Sequence, residues 1–220
     1  MIKIVRTFDG SDTVYVPDIE EHYHSINGAV LESDFIFIKN GLNYCKTAPL
    51  RIFEAGLGTG LNALLTAVKS LKDDREIYYT TIEKYPLPAY ITSSLNYKEF
   101  FSEVGKRIFD NIHSCRWNKP EKLTSNFTLH KIEGDLLTYD IEGSFDLIYF
   151  DAFGPEKQPE LWTCEVFRKI AVLTSPDCIL VTYSSKGEVK RALRSNGFKV
   201  TRLPGPPGKR HILRAVKFIK

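Results

Sequence analysis

Four acidic residues stand where apolar segments give out: Glu54 in RIFEAGLGTG, Glu83 in IYYTTIEKYP, Asp135 in KIEGDL and Asp151 in FDLIYFDAFGP. Carboxylates in such places accept hydrogen bonds from hydroxyls or amines and hold cations. Asp151 is the candidate for chemistry. It leaves an apolar run, Gly154-Pro155 forces a turn just beyond it, and Phe153 supplies an aromatic wall. A carboxylate there can seat an incoming ammonium, take or relay its proton, and aim the freed nitrogen. An aromatic face beside it favours the same cation. The plainer role for a lone Asp at a strand end is to cap the following turn, and for Asp135 that role stays open. No Ser-His-Asp or Cys-His set presents itself. His22 and His24 lie two apart without a third ligand, so no metal is expected. They read as surface or loop histidines, with Tyr23, His24 and Ser25 bordering the mouth of the site.

Gly56, Gly58 and Gly60 follow Glu54 in the order G-x-G-x-G. Glycine there allows a sharp turn and a close approach to a ligand. The helix expected next, Leu61–Leu71, directs its free N–H groups and positive dipole end at the turn. The spacing satisfies neither GxxxxGK[ST] nor GxGxxG, and no Lys-Ser/Thr pair follows to hold a phosphate and magnesium. An acid ahead of the glycines, E-x-G-x-G-x-G, is the pattern of S-adenosylmethionine-dependent methyltransferases, where the carboxylate meets the cationic methionine end of the cofactor. A turn needed only for strand–helix packing is the plain alternative.

These groups need a frame to position them. Strands are predicted at Arg51–Ala55, Ile77–Glu83, Phe127–Glu133, Phe145–Asp151, Cys178–Tyr183, Phe198–Leu203 and His211–Phe218. Helices are predicted at Leu61–Leu71, Pro88–Leu95, Glu160–Leu173 and Gly187–Asn196. Alternation of this kind implies an α/β, Rossmann-like, seven-stranded and mostly parallel sheet. The last two strands are joined by PGPPG, too short for a helical crossover, so the last strand is expected to be antiparallel. Residues 1–50 read as short β segments packed as an appendage on a main domain of residues 51–220. Between 97 and 122, Phe100, Phe101, Val104, Ile108 and Ile112 recur at helical spacing and are expected in the core.

Composition sets outer limits. A chain of 220 residues suits one core-forming domain. No apolar run reaches the roughly 18 residues of a membrane span, and MIKIVRTFDGSD lacks the pattern of a signal peptide. Cys45, Cys115, Cys164 and Cys178 are scattered, so neither zinc nor a disulfide framework is indicated, and a cytoplasmic location is expected. Net charge is only +3, yet residues 184–220 carry 11 Lys/Arg against the single acid Glu188. The rest of the chain holds 19 basic and 26 acidic residues. Such asymmetry suits a polyanionic partner on one face, with a solvated helix and basic tail as the bland alternative.

Several stretches together resemble one family. HYHSINGAVLES, FEAGLGTGLNALL, IEKYPL, Gly134-Asp135, FDAFGPEKQPELWT, TYSSKGEVKRALRSNGF and PGPPGKRHILRA occur in the order found in the methyltransferase domain of the bacterial tRNA 5-aminomethyl-2-thiouridine modification enzymes, the MnmC type. The resemblance is nearest to the stand-alone form, without the flavin oxidase domain. It implies methyl transfer from S-adenosylmethionine to the aminomethyl nitrogen of a modified tRNA wobble uridine, with a separate enzyme supplying the free amine. Carried onto matching positions, the cofactor-binding set is Glu54, Gly56, Gly58, Thr59, Gly60, Asn62, Glu83, Lys84, Gly134, Asp135 and Asp151. Asp151 and Phe153 form the catalytic pair. Tyr23, His24, Ser25, Tyr183, Lys186, Lys209 and Arg210 lie toward the tRNA. Trp117 and Trp162 are candidates to stack on a splayed base, with packing favoured for Trp162. The rival readings are a polyamine aminopropyltransferase on the same sheet and a non-catalytic RNA-binding protein that keeps a vestigial methyltransferase fold.

Overall fold

In the computed structural model of the chain, which describes residues 2–218, the main sheet forms from the longest apolar runs. Its strands are β4 (Leu50–Ala55), β5 (Ile77–Glu83), β6 (Pro120–Lys122), β7 (Phe127–Glu133), β8 (Phe145–Phe150), β9 (Thr174–Thr182), β10 (Phe198–Pro204) and β11 (His211–Lys217). They lie in the order β10-β11-β9-β8-β4-β5-β7-β6. The five strands from β9 to β7 pair in parallel, while β11 is antiparallel to both β9 and β10. All seven expected strands are therefore present, and the short PGPPG link does reverse the last one. The eighth, β6, is an antiparallel edge of three residues that opens on Pro120. It carries no apolar alternation, so nothing in its pattern marks it as a strand.

Successive strand residues point to opposite faces. Ile52, Leu147 and Tyr149 enter the core on one side, whereas Phe53, Ala55, Ile148 and Phe150 enter the core on the other. The first layer is closed by α2 (Leu61–Lys72) and α4 (Glu103–Ser114), with the short α3 (Ala89–Ser94) beside α4. The second is closed by α5 (Cys164–Val172) and α6 (Gly187–Ser195), through Val166, Phe167, Ile170, Val189 and Leu193. Chain order reverses at β4: the chain runs outward through β5 and β7, then returns to β8 and β9 on the other flank. In open α/β sheets the crevice beyond such a switch point takes the ligand.

The N-terminal part departs from the expected β reading. β1 (Lys3–Arg6), β2 (Asp12–Val16) and β3 (Glu21–His22) do form a separate antiparallel sheet. Residues from 29 onward are helical instead, as α1 (Ala29–Ser33) running into a π-helical stretch, Asp34–Leu42. Ile36, Phe37 and Ile38 are buried in succession, which a strand with one wet face does not allow. This segment lies so close on the sheet that a Cβ at Gly41 would stand 3.0 Å from Val181 Cγ2. A second difference concerns the amphipathic insertion. Ile108 and Ile112 are buried as expected, but Phe100 and Val104 are 39% and 44% exposed. The helix begins only at Glu103, and its buried stripe is Gly105, Ile108, Phe109 and Ile112.

One buried polar contact ties the small sheet to the main body. Asn96, 8% exposed, accepts from the Asp12 N–H at 2.8 Å and donates to the Gly10 carbonyl at 2.8 Å, while its own N–H reaches Asp12 Oδ2 at 3.0 Å. Removing that side chain strands a buried N–H and a carbonyl. Asn96→Ala is therefore expected to cost about 1–3 kcal/mol in stability, read as a lower urea midpoint. An unchanged midpoint would show that the tie contributes nothing.

Candidate active site

A cavity of about 690 Å³ opens where β4, β5, β7, β8 and β9 end. Its floor is the glycine turn. Gly56, Gly58 and Gly60 all have positive φ, at +92°, +51° and +75°. A Cβ on Gly58 would lie 2.8 Å from Tyr23 Cδ1, and one on Gly56 would lie 3.2 Å from the Asp151 carbonyl oxygen. Strand ends thus meet backbone to backbone, leaving the cavity to the ligand.

Of the residues expected around a cofactor, Gly56, Gly58, Glu83, Lys84, Gly134, Asp135 and Asp151 line this cavity. Glu54, Thr59, Gly60 and Asn62 stand behind its wall. Glu54 is fully buried at the end of β4. The Asn62 amide nitrogen, in the first turn of α2, donates to Glu54 Oε1 at 3.0 Å and to Asp151 Oδ2 at 2.8 Å. One amide therefore bridges two carboxyl groups. Burial pushes the Glu54 carboxyl up to about 8. Burial, then the nearby Glu54, holds the Asp151 carboxyl well above the usual carboxylate range. Thr59 turns the other way, onto His24 Nε2 at 2.6 Å and the Tyr97 hydroxyl at 3.4 Å. Gly60 abuts the His113 ring.

Glu83 fits a polar ligand that bears hydroxyls. Its Oε2 accepts from the Gly58 N–H at 3.1 Å and its Oε1 from the Tyr85 N–H at 2.9 Å. A carboxylate so fixed keeps lone pairs for two further donors. Asp135, at the β7 end, accepts from the Leu137 N–H at 2.9 Å and pairs with Lys84 Nζ at 2.9 Å. That ion pair, then the Leu137 N–H, holds its pKa below the usual range. Asp135 thus caps its own turn and stands on the wall as well.

The other half of the cavity is built on the DAFGP turn. The Trp162 indole N–H donates to the Phe153 carbonyl at 2.7 Å, Gln158 Oε1 accepts from the Phe153 N–H at 3.1 Å, and the Tyr183 hydroxyl donates to the Ala152 carbonyl at 2.9 Å. Three side chains therefore hold the backbone that follows Asp151. Trp162 is buried against Phe150 and Phe167, so it packs rather than stacks on a ligand. Trp117 lies away from this cavity, under the Lys131 ammonium at 4.7 Å. Phe153 and Tyr23 meet edge to face at 4.8 Å on the wall. Tyr23, His24, Ser25, Tyr183, Lys186, Lys209 and Arg210 all reach the cavity. His24 corrects the surface reading: it is 8% exposed, and burial drives its pKa down to about 4, so it is a neutral hydrogen-bonding group.

Two contributors escaped sequence reasoning. Glu32 lies in the HYHSINGAVLES stretch, but a helical glutamate in an apolar neighbourhood carries no marker of its own. It is 8% exposed and lines the cavity. Gln158 lies inside FGPEKQPELWT, where attention goes to the flanking prolines and tryptophan. Among the described residues no helix is long and apolar enough to cross a membrane.

Comparison with known proteins agrees with this geometry. A family model described as S-adenosyl-L-methionine-dependent methyltransferase matches residues 96–218. The tRNA 5-methylaminomethyl-2-thiouridine biosynthesis bifunctional protein MnmC of Campylobacter hominis is 29% identical over 90% of the chain, covering 30% of that relative. The chain spans about a third of the length of the curated relatives it matches. The crystal structure of MNMC2 from Aquifex aeolicus superposes with a TM-score of 0.76 and 25% identity, over 99% of this chain and 70% of that one. Spermidine synthase from Thermotoga maritima shares the fold, with a TM-score of 0.57 and 14% identity over 96% and 70% of the two chains.

The bridged carboxyls predict a pH dependence. Folded Glu54 keeps its proton up to about pH 8, whereas the unfolded chain releases it near 4.5. Between those values the unfolded state binds fewer protons, so stability falls as pH rises across that window. Glu54→Gln retains an acceptor for Asn62 and cannot ionise, so its thermal midpoint is expected to fall less than that of the wild type between about pH 5 and about pH 8. Parallel profiles for the two proteins would mean Glu54 is ionised in the fold.

Proposed function

Since the chain belongs to the S-adenosyl-L-methionine-dependent methyltransferase family, we propose that it methylates the aminomethyl nitrogen of 5-aminomethyl-2-thiouridine at the wobble position of tRNA. The observation that carries this reading is the position of Asp151. Its carboxylate opens onto the same cavity as Glu83 and the glycine turn, beside the Phe153 and Tyr23 rings. The names of relatives in tRNA thiouridine biosynthesis support the same acceptor.

The cofactor supplies an electrophilic methyl group on a sulfonium. Glu83 would hold its ribose hydroxyls, and the open backbone of Gly56 and Gly58 would admit its polar end. Asp151 then acts on the acceptor. Asn62 fixes Oδ2, leaving Oδ1 available to an incoming ammonium. The arriving ammonium favours the ionised form of Asp151, and once ionised a buried carboxylate is a stronger base toward that ammonium than a solvated one. Taking the proton frees the nitrogen lone pair, and the clamped DAFGP turn aims it. Phe153 and Tyr23 exclude water and favour a cation. A preceding reaction, catalysed by other residues than these 220, exposes the free amine. The excess of Lys/Arg in residues 184–220 would neutralise tRNA phosphates, so affinity should weaken as salt rises.

The test is direct. Incubation with labelled S-adenosylmethionine and tRNA from cells lacking the gene should place label on one wobble nucleoside, identified by mass spectrometry, with S-adenosylhomocysteine as the thioether product. Methylthioadenosine would indicate aminopropyl transfer, and label on protein or a free small amine would sink the tRNA acceptor. Asp151→Ala should reduce the rate about 10²–10⁴-fold; a near wild-type rate removes Asp151 from this role.

A further inference from the structure

The lysines on the cavity wall are already engaged. Lys84 pairs with Asp135, Lys186 with Glu156, and Lys209 with Glu32 at 3.1 Å. The last pair differs from the others, because its carboxylate is buried. Glu32 Oε2 is fixed by the Ser25 N–H at 2.8 Å, and Oε1 has no hydrogen-bond partner, only the Lys209 ammonium beside it. The same ammonium lies 4.7 Å from the centre of the Tyr183 ring, whose hydroxyl is anchored to Ala152 next to Asp151. A buried carboxylate and an aromatic face converging on one point make a site for an alkylammonium. Lys209 reaches it from the β10–β11 turn, whose tip is pressed against the N-terminal segment. A Cβ on Gly208 would stand 2.0 Å from Asn27 Nδ2.

We propose that Lys209 is an internal stand-in for the acceptor amine: it occupies an ammonium subsite formed by Glu32 and Tyr183, and leaves it when tRNA phosphate draws the β10–β11 turn away. Glu32 is then the residue that receives the substrate's aminomethyl group on its way to Asp151. Such an exchange conserves charge. One cation leaves a buried carboxylate as another arrives, so Glu32 is never left unpaired in the interior. The arrangement favours amines delivered on a polyanion over free small amines, which must compete with the lysine unaided. This inference rests on the amine-acceptor reading above.

The experiment compares two acceptors, tRNA and the free nucleoside 5-aminomethyl-2-thiouridine, with Lys209→Met and Glu32→Gln. Lys209→Met should lower KM for the nucleoside by about five- to tenfold, the loss of one competing cation contact. The same variant should raise KM for tRNA and reduce its salt slope by about one. Added to Lys209→Met, where no lysine competes, Glu32→Gln, nearly isosteric and so expected to fold, should raise nucleoside KM about tenfold over that single variant with little change in kcat. Affinity for S-adenosylhomocysteine, measured by calorimetry, should be the same in all three proteins. Unchanged or higher nucleoside KM in Lys209→Met, or no rise in nucleoside KM when Glu32→Gln is added to it, overturns the proposal. If the wild type binds cofactor but methylates neither acceptor, the amine reading itself falls and this subsite falls with it, a result distinct from the other two.

Discussion

One side-chain amide, that of Asn62, holds the centre of this molecule together. It sits between two carboxyl groups at the ends of the adjacent parallel strands β4 and β8, and hydrogen-bonds to both. Two ionised carboxylates so placed in a low-dielectric interior repel strongly, and burial of either is costly unless a donor or a proton compensates. The glycine turn follows from this constraint. Asn62 reaches back to both strands only because the chain passes from β4 to α2 in five residues with three positive φ angles. The switch in strand order makes β4 and β8 neighbours although about 90 residues separate them in the chain. Fold topology and acid placement are the same fact seen at two scales.

What could be read beforehand follows from how local each signal is. Strand ends bearing Glu83, Asp135 and Asp151 announce themselves by an acid closing an apolar run, and all three reach the cavity. Glu54 carries the same local signal but points into the interior, because one residue of strand register decides which face a side chain takes. His24 looked like a surface histidine; its burial comes from Thr59 and Tyr97, which only the tertiary fold brings to it. The FIFI run after Asp34 mimics a strand, yet it is helical, and the sheet on one side and α2 on another bury its successive residues. Glu32 was hidden for the opposite reason. Its significance depends on Lys209, 177 positions away.

Charge gives a similar lesson. A net charge of +3 suggests an indifferent surface, but acids and bases are segregated along the chain and re-paired in space. Lysines from the basic stretch 184–220 meet carboxylates from earlier segments on the cavity wall. These pairs leave acids in excess on the cavity wall, seven Asp/Glu against four Lys/Arg, while Arg202, Arg210 and much of the remaining cationic surface stay in solvent, where counterions screen them.

Trp162 brings out a mechanical property of the sheet. Its indole suspends the DAFGP turn from the layer of α5 and α6, whereas the glycine turn is propped by Ile112 and His113 of α4 in the opposite layer. The two halves of the cavity are therefore mounted on separate supports, and the hydrogen-bonded ladder of β4 and β8, with the Asn62 bridge to Asp151, sets the gap between them. The sheet acts as a calliper. Its twist and stiffness, fixed by residues that never see a ligand, gauge the spacing across which a methyl group must pass.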